Sequence, residues 1–222
     1  MSERIIVINP NSTQAVTEAI DAALRPWRMA GGPAIECVTL AEGPPGIETQ
    51  AHVEQVVQPI CRLVRAREDA GAFVIACFSD PGLHAARDVT ARPVFGIAEC
   101  GLLTALTLGE RFGIIAILRT SLPRHLRYVR QLGLAQRLAG DLPLGLGVVE
   151  LADEARTLER MIEVGTRLQD QHGADVLVLG CAGMAGYRAA LAAALGVPVV
   201  DPTQAAVTMA IGAVRQAHEG DG

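Results

Sequence analysis

The chain has 222 residues, half of them apolar and 3% aromatic, with a formal net charge of −5. That length can bury a full core in one large domain or two small ones, and an acidic balance without a basic stripe argues against a nucleic-acid partner. All 19 basic residues are arginine, so no lysine exists for a pyridoxal phosphate Schiff base or a Walker A loop, and no G-x-G-x-x-G follows a strand to hold a dinucleotide.

Strands and helices alternate along the chain. IIVIN (5–9) reads as a strand whose Pro10-Asn11-Ser12-Thr13 turn opens a helix, with Ser12 or Thr13 placed to cap it. A strand beginning at Arg4-Ile5 leaves no room for a signal peptide, and Gly, Pro or charge interrupts every apolar run before about 18 residues. The expected location is therefore the cytoplasm, with no membrane span. AIECVTL (34–40) is the second strand, followed by a long helix over about 50–69. FVIAC (73–77) is the third, with a helix near 82–90; PVFGI (93–97) is the fourth, with a helix from about Cys100. The pattern then restarts. FGIIAIL (112–118) ends in Arg119-Thr120-Ser121, a helix covers 122–132, and GVVEL (147–151) is the next strand. A helix over 153–171, the strand VLVLG (176–180), a helix over 186–195, the strand PVVD (198–201) and a helix from 203 to 217 complete the chain.

The halves share one order of elements, a weak internal repeat. Cys77 precedes Pro93 by 16 residues and Cys181 precedes Pro198 by 17. The expected fold is α/β: two similar lobes, each a mostly parallel sheet flanked by helices, related by a pseudo-twofold axis with the site between them. Lobe one is expected to take 1–98 plus a C-terminal helix over about 203–222, and lobe two 99–202. Sites in such sheets lie beyond the carboxyl ends of the strands, where Asn9 and Cys77 sit in one lobe and Thr120 and Cys181 in the other.

Five cysteines with no C-x-x-C and no short Cys/His spacing give neither a disulfide framework nor a metal site. Cys37 and Cys61 read as core; Cys100, at a helix start, is the third candidate thiol, with packing as its plainer reading. A lone thiol at the end of a buried strand is commonly core filler; two at matched positions suggest chemistry. A helix start after each thiol should lower its pKa. Two such groups on opposite faces of one carbon can act as base and acid, inverting a stereocentre next to a carbonyl without a cofactor. The developing enolate needs donors. Ser79, Thr120 and Ser121, with the amides after each cysteine (Phe78, Ala182, Gly183), are the candidates. Asp80 and Asp201 read as helix caps and His84 as a surface residue. Asn9-Pro10-Asn11 also reads as a plain turn.

INPNST near the start, ACFSDPGLHAAR around the first thiol and LGCAGMA around the second resemble hydantoin racemase, a branch of the aspartate/glutamate racemase superfamily that also includes allantoin racemase. The resemblance covers nearly the whole chain. It implies that Cys77 and Cys181 are the catalytic acid–base pair, that Asn9 helps hold the substrate, and that Ser79, Thr120 and Ser121 contribute polar contacts. It also implies a small-molecule substrate, a 5-substituted hydantoin or related carbonyl compound, and no metal or cofactor. Many members carry an acidic residue where this chain has Ser79, which bears on the ring substituent. Allantoin racemase, an Asp/Glu-type racemase and a maleate cis–trans isomerase are the alternatives within the superfamily. Outside it stand a small-ligand-binding protein and a Cys-His-acid hydrolase, which needs a histidine in contact with Cys77 or Cys181. Apolar helix faces suggest a homo-oligomer.

Overall fold

In a computed structural model describing residues 4–219, two four-stranded parallel sheets are flanked by helices. The first contains β1 (Arg4–Asn9), β2 (Ala34–Thr39), β3 (Ala70–Ile75) and β4 (Val94–Gly96) in the order β2-β1-β3-β4. The second contains β5 (Phe112–Ala116), β6 (Leu138–Pro143), β7 (Val176–Leu179) and β8 (Val199–Val200) in the order β6-β5-β7-β8. The two orders are the same permutation. Ile5, Ile6, Val7 and Ile8 are fully buried, as are the four residues of β7. Helices cover both faces of these central strands, which is why they read as unbroken apolar runs.

The helices are α1 (Gln14–Ala23), α2 (Gln50–Gln55), α3 (Val57–Ala66), α4 (Leu83–Asp88) and α5 (Ile97–Ala105) in the first half of the chain. They continue with α6 (Leu122–Gln131), α7 (Glu154–Asp170), α8 (Arg188–Leu195) and α9 (Pro202–Glu219). The last helix of each half crosses to the other sheet. Following β4, α5 packs on β7 and β8; following β8, α9 packs on β1, β3 and β4. The two crossing helices lie against each other. At that contact a Cβ on Gly101 would stand 2.7 Å from the Pro202 side chain, so glycine permits the close approach. Trp27 Nε1 donates to Thr208 Oγ1 at 2.8 Å and Gln204 Nε2 to the Ala23 carbonyl at 3.2 Å, tying α9 to the first half.

Three expected elements differ. GVVEL (147–151) is not a strand: Val149–Ala152 is a 3-10 turn, and the strand beside β5 is LAGDLP. β6 is an edge strand whose six residues are all half-buried, so it lacks an apolar signature. The helix expected over 50–69 breaks at Val56; Pro59 has no N–H to bond the Gln55 carbonyl four residues back. The helix over 186–195 begins as a 3-10 segment, Ala182–Tyr187. The lobe-one span expected above also includes residues 1–3 and 220–222, which lie outside the described residues. Among the described residues, no helix is long and apolar enough to cross a membrane.

Candidate active site

Each sheet presents its thiol in the same way. Ala76 N–H extends the ladder to the Ile8 carbonyl at 2.8 Å, and the next residue is Cys77. Gly180 N–H reaches the Ile115 carbonyl at 2.8 Å, and the next residue is Cys181. Both cysteines thus leave the carboxyl end of a central strand at equivalent points, and both line one cavity between the two halves. Gly180 is required for this geometry, since a Cβ there would stand 2.6 Å from the Ile115 carbonyl oxygen.

Neither thiol is followed directly by an α-helix. After Cys77 a turn closes through Asp80 N–H to the Cys77 carbonyl at 2.9 Å, and α4 begins only at Leu83. The expected fall in thiol pKa is corrected accordingly. Burial pushes Cys77 up to about 12 and Cys181 up to about 11. The backbone N–H groups of Ser79 and Gly183 pull the other way, each donating to the nearby sulfur, but desolvation outweighs them. Negative charge on Cys181 also raises Cys77, while the Arg124 guanidinium lowers it.

Asp80 fixes the first thiol loop. It adopts a left-handed φ of +41° and is buried. Its carboxylate accepts from Ala98 N–H and Glu99 N–H, both at 2.9 Å, and from the Tyr128 hydroxyl at 2.9 Å. It therefore caps α5, an element of the opposite packing layer, rather than the short helix that follows it. Burial raises the carboxyl to about 7. Asp201 caps α9 through Thr203 N–H at 2.8 Å and Gln204 N–H at 3.2 Å.

Of the expected contact residues, Phe78, Ser79, Ser121, Ala182 and Gly183 line the cavity with the two thiols. Asn9 and Thr120 do not. Asn9 is buried behind the first turn, where its Nδ2 donates to Asn11 Oδ1 and Thr17 Oγ1, both at 3.0 Å. Its partner Asn11 lines the cavity instead. Thr120 is exposed, its hydroxyl 3.4 Å from the Glu48 carbonyl. The loop between β2 and α2 brings Glu48 there: Glu48 Oε1 accepts from Val148 N–H at 3.1 Å, and its carbonyl accepts from Arg124 Nη1 at 3.0 Å. Ile47 from this loop and Val148 from the 147–152 segment close the cavity from opposite halves.

Arg124 and His125, both buried on α6, also line the cavity and were not singled out from the sequence. Arg124 Nη2 donates to Ser121 Oγ at 3.3 Å, and its Nε has no partner. His125 Nδ1 lies 2.9 Å from Asp141 Oδ2, and its ring meets Phe78 edge-on at 5.1 Å between centroids. Among the described residues no hydrogen bond joins a histidine to either cysteine sulfur, so the hydrolase alternative lacks its contact. The available signal was α6 itself, LPRHLRYVRQ, which carries three arginines and a histidine without one acidic residue.

Comparison with known proteins decides the lineage, because residues 5–210 match the Asp/Glu/hydantoin racemase family. The chain belongs to that family. It is 38% identical over 213 residues to a hydantoin racemase of Paenarthrobacter aurescens, covering 93% of this chain and 89% of the relative. Among solved structures, the allantoin racemase of Klebsiella pneumoniae superposes with a TM-score of 0.92 at 35% identity, covering 97% of this chain and 89% of the other. The allantoin racemase of Pseudomonas fluorescens gives 0.89 at 29% identity, covering 96% and 92%. The chain is therefore a racemase of the hydantoin/allantoin branch, with that branch's two-lobe fold.

Proposed function

We propose that the protein racemises 5-substituted hydantoins without a cofactor, Cys77 and Cys181 exchanging protons with opposite faces of C5. The observation that carries this reading is the pair of thiols at equivalent strand ends, one from each half, on one cavity. The C5 proton of a hydantoin lies next to the C4 carbonyl, so its removal spreads charge onto that oxygen. Ser121 and Arg124 stand on the same cavity as donors for the developing charge. Asn11 supplies a further amide for the ring, held in place by Asn9.

A two-base reaction needs one thiolate and one thiol together. The electrostatics favour this state, because charge on Cys181 opposes ionisation of Cys77. Arg124 lowers the cost of forming the Cys77 thiolate. Each enantiomer presents its proton to one thiol and collects a proton from the other.

The test is loss of optical rotation on enantiopure 5-substituted hydantoins and allantoin, together with proton exchange in D₂O. Cys77→Ser and Cys181→Ser should each abolish racemisation, since both directions need both thiols. Each variant should still exchange the C5 proton of one enantiomer only, and of opposite enantiomers. Exchange of the same enantiomer by both variants, or racemisation at the normal rate by either, refutes the mechanism. The likeness to two allantoin racemases favours a second reading in which the ring substituent is a ureido group; the substrate panel separates the two.

A further inference from the structure

The thiol cavity is narrow, with about 30 Å³ of free volume. A slot of this size has no room for a long ring substituent. Beside it lies a wider cavity of about 160 Å³. Phe78, Ser79, Arg124 and His125 line both. Gln50, Val53, Arg127, Tyr128 and Gln131 complete the second one.

The electrostatics of this second space are one-sided. Arg124 is 9% exposed, and its Nε has no partner. Arg127 lies close enough that its charge opposes that of Arg124. Neither forms an ion pair among the described residues. Arg124 donates to the Glu48 and Thr120 carbonyls and the Ser121 hydroxyl, and Arg127 donates to Gln50 Oε1 at 2.8 Å. The carboxylates nearby are engaged elsewhere: Asp80 with the α5 amides and the Tyr128 hydroxyl, Asp141 with His125 Nδ1, Glu48 with Val148 N–H, Glu54 with Gln50 Nε2 at 2.7 Å. Two guanidinium groups that repel each other, with no carboxylate between them, are relieved by an anion that accepts from both.

We propose that the second cavity receives the C5 substituent of the substrate and selects substituents that end in a carboxylate. The inference rests on the racemase reading above. Phe78 and Val53 offer apolar surface to the methylene stem, and Arg127, with Arg124 behind it, takes the charged end. Ser79 in the shared wall is neutral and leaves the anion unopposed.

The experiment compares 5-(2-carboxyethyl)hydantoin with its carboxamide, two substrates of the same size that differ in charge, by polarimetry at low ionic strength. The expected kcat/KM is at least tenfold higher for the acid. The ratio should shrink toward one in Arg127→Gln, in Ser79→Asp, which adds a carboxylate to the shared wall, and on adding salt. Thermal unfolding midpoints confirm that both variants fold. Equal rates for acid and amide in the wild-type protein, or a ratio unchanged in both variants, overturn the inference while leaving the racemase reading intact. Acceleration of the amide by added acetate assigns the anion to a separate ion and also overturns it. Turnover of no hydantoin overturns the reaction and this inference together.

Discussion

Asp80→Asn probes the carboxylate that holds the first thiol loop. Asparagine keeps the size and tolerates the left-handed backbone at this position, but it offers one acceptor oxygen where two amides converge. Its NH₂ must then face either Ala98 N–H or Glu99 N–H, and a buried donor left unpaired costs about 1–3 kcal/mol. That loss is expected at pH 5. The pH dependence follows from burial, which raises the folded carboxyl from its ordinary 3.8 to about 7. Between those values the folded chain holds a proton that the unfolded chain has released. The stability contributed by the group is complete below 3.8 and is lost as pH rises through 7. Asp80 alone should therefore cost the wild-type protein about 1.4 kcal/mol per pH unit across this window, whereas the variant has nothing to titrate at position 80. Asp201, raised to about 6, is present in both proteins and cancels in the difference. The stability gap, measured by urea unfolding at pH 5, 6, 7 and 8, should narrow as pH rises and close between about pH 6 and 7. A gap that widens with pH would refute the reasoning and show that the amides of the α5 N-terminus favour the charged form more strongly than burial opposes it.

Gly180→Ala forces a methyl against the Ile115 carbonyl oxygen; it should cost about 1–3 kcal/mol by overpacking and displace Cys181, seen as a lower urea midpoint and at least a tenfold loss of racemisation. Glu36, paired with Arg67 and Arg4, is held at about 2, so its contribution is present above its ordinary 4.5 and is lost as pH falls toward 2. Glu36→Gln should cost about 1 kcal/mol at pH 6, discounted because the side chain is part-exposed and screened, and almost nothing at pH 2.5, by urea unfolding at both. Iodoacetamide labelling of Cys77 and Cys181, followed by peptide mass spectrometry, should still accelerate about tenfold per pH unit from pH 8 to 10 because both thiols titrate high; a plateau by pH 8 contradicts that.

The central strands were legible because IIVIN and VLVLG are buried on both faces and show it as unbroken apolar runs. β6 was not, because an edge strand with Gly140, Asp141 and Pro143 carries no such signature, while GVVEL is apolar for another reason. Its Val148 and Leu151 face inward from a turn, and Val148 closes the cavity. The two thiols were readable from matched grammar in the two halves. Their ionisation was not, since the helix start expected behind each is a turn or a 3-10 segment, and desolvation is set by the other half of the molecule. Asn9 and Asn11 differ by two residues in a turn, and only the hydrogen bonds of Asn9 to Asn11 and Thr17 reveal which one faces the cavity. Arg124 and His125 sit in a polar helix whose inward face is decided by tertiary packing.

The exchange of α5 and α9 between the sheets has a consequence for synthesis. The ribosome delivers β1, β3 and β4 long before α9 exists. Ile5, Val7, Ala72 and Val74 share one apolar cluster with Ala206, Val207 and Ala210 of α9, so part of their cover arrives only when translation has passed the second thiol. Until then the nascent first sheet has an incompletely dried face, and α5 has no β7 or β8 to lie on. Neither sheet has its full cover until the other half has been made. A premature stop after Asp201 would strip the sheet that bears Cys77, although the lesion lies beyond Cys181.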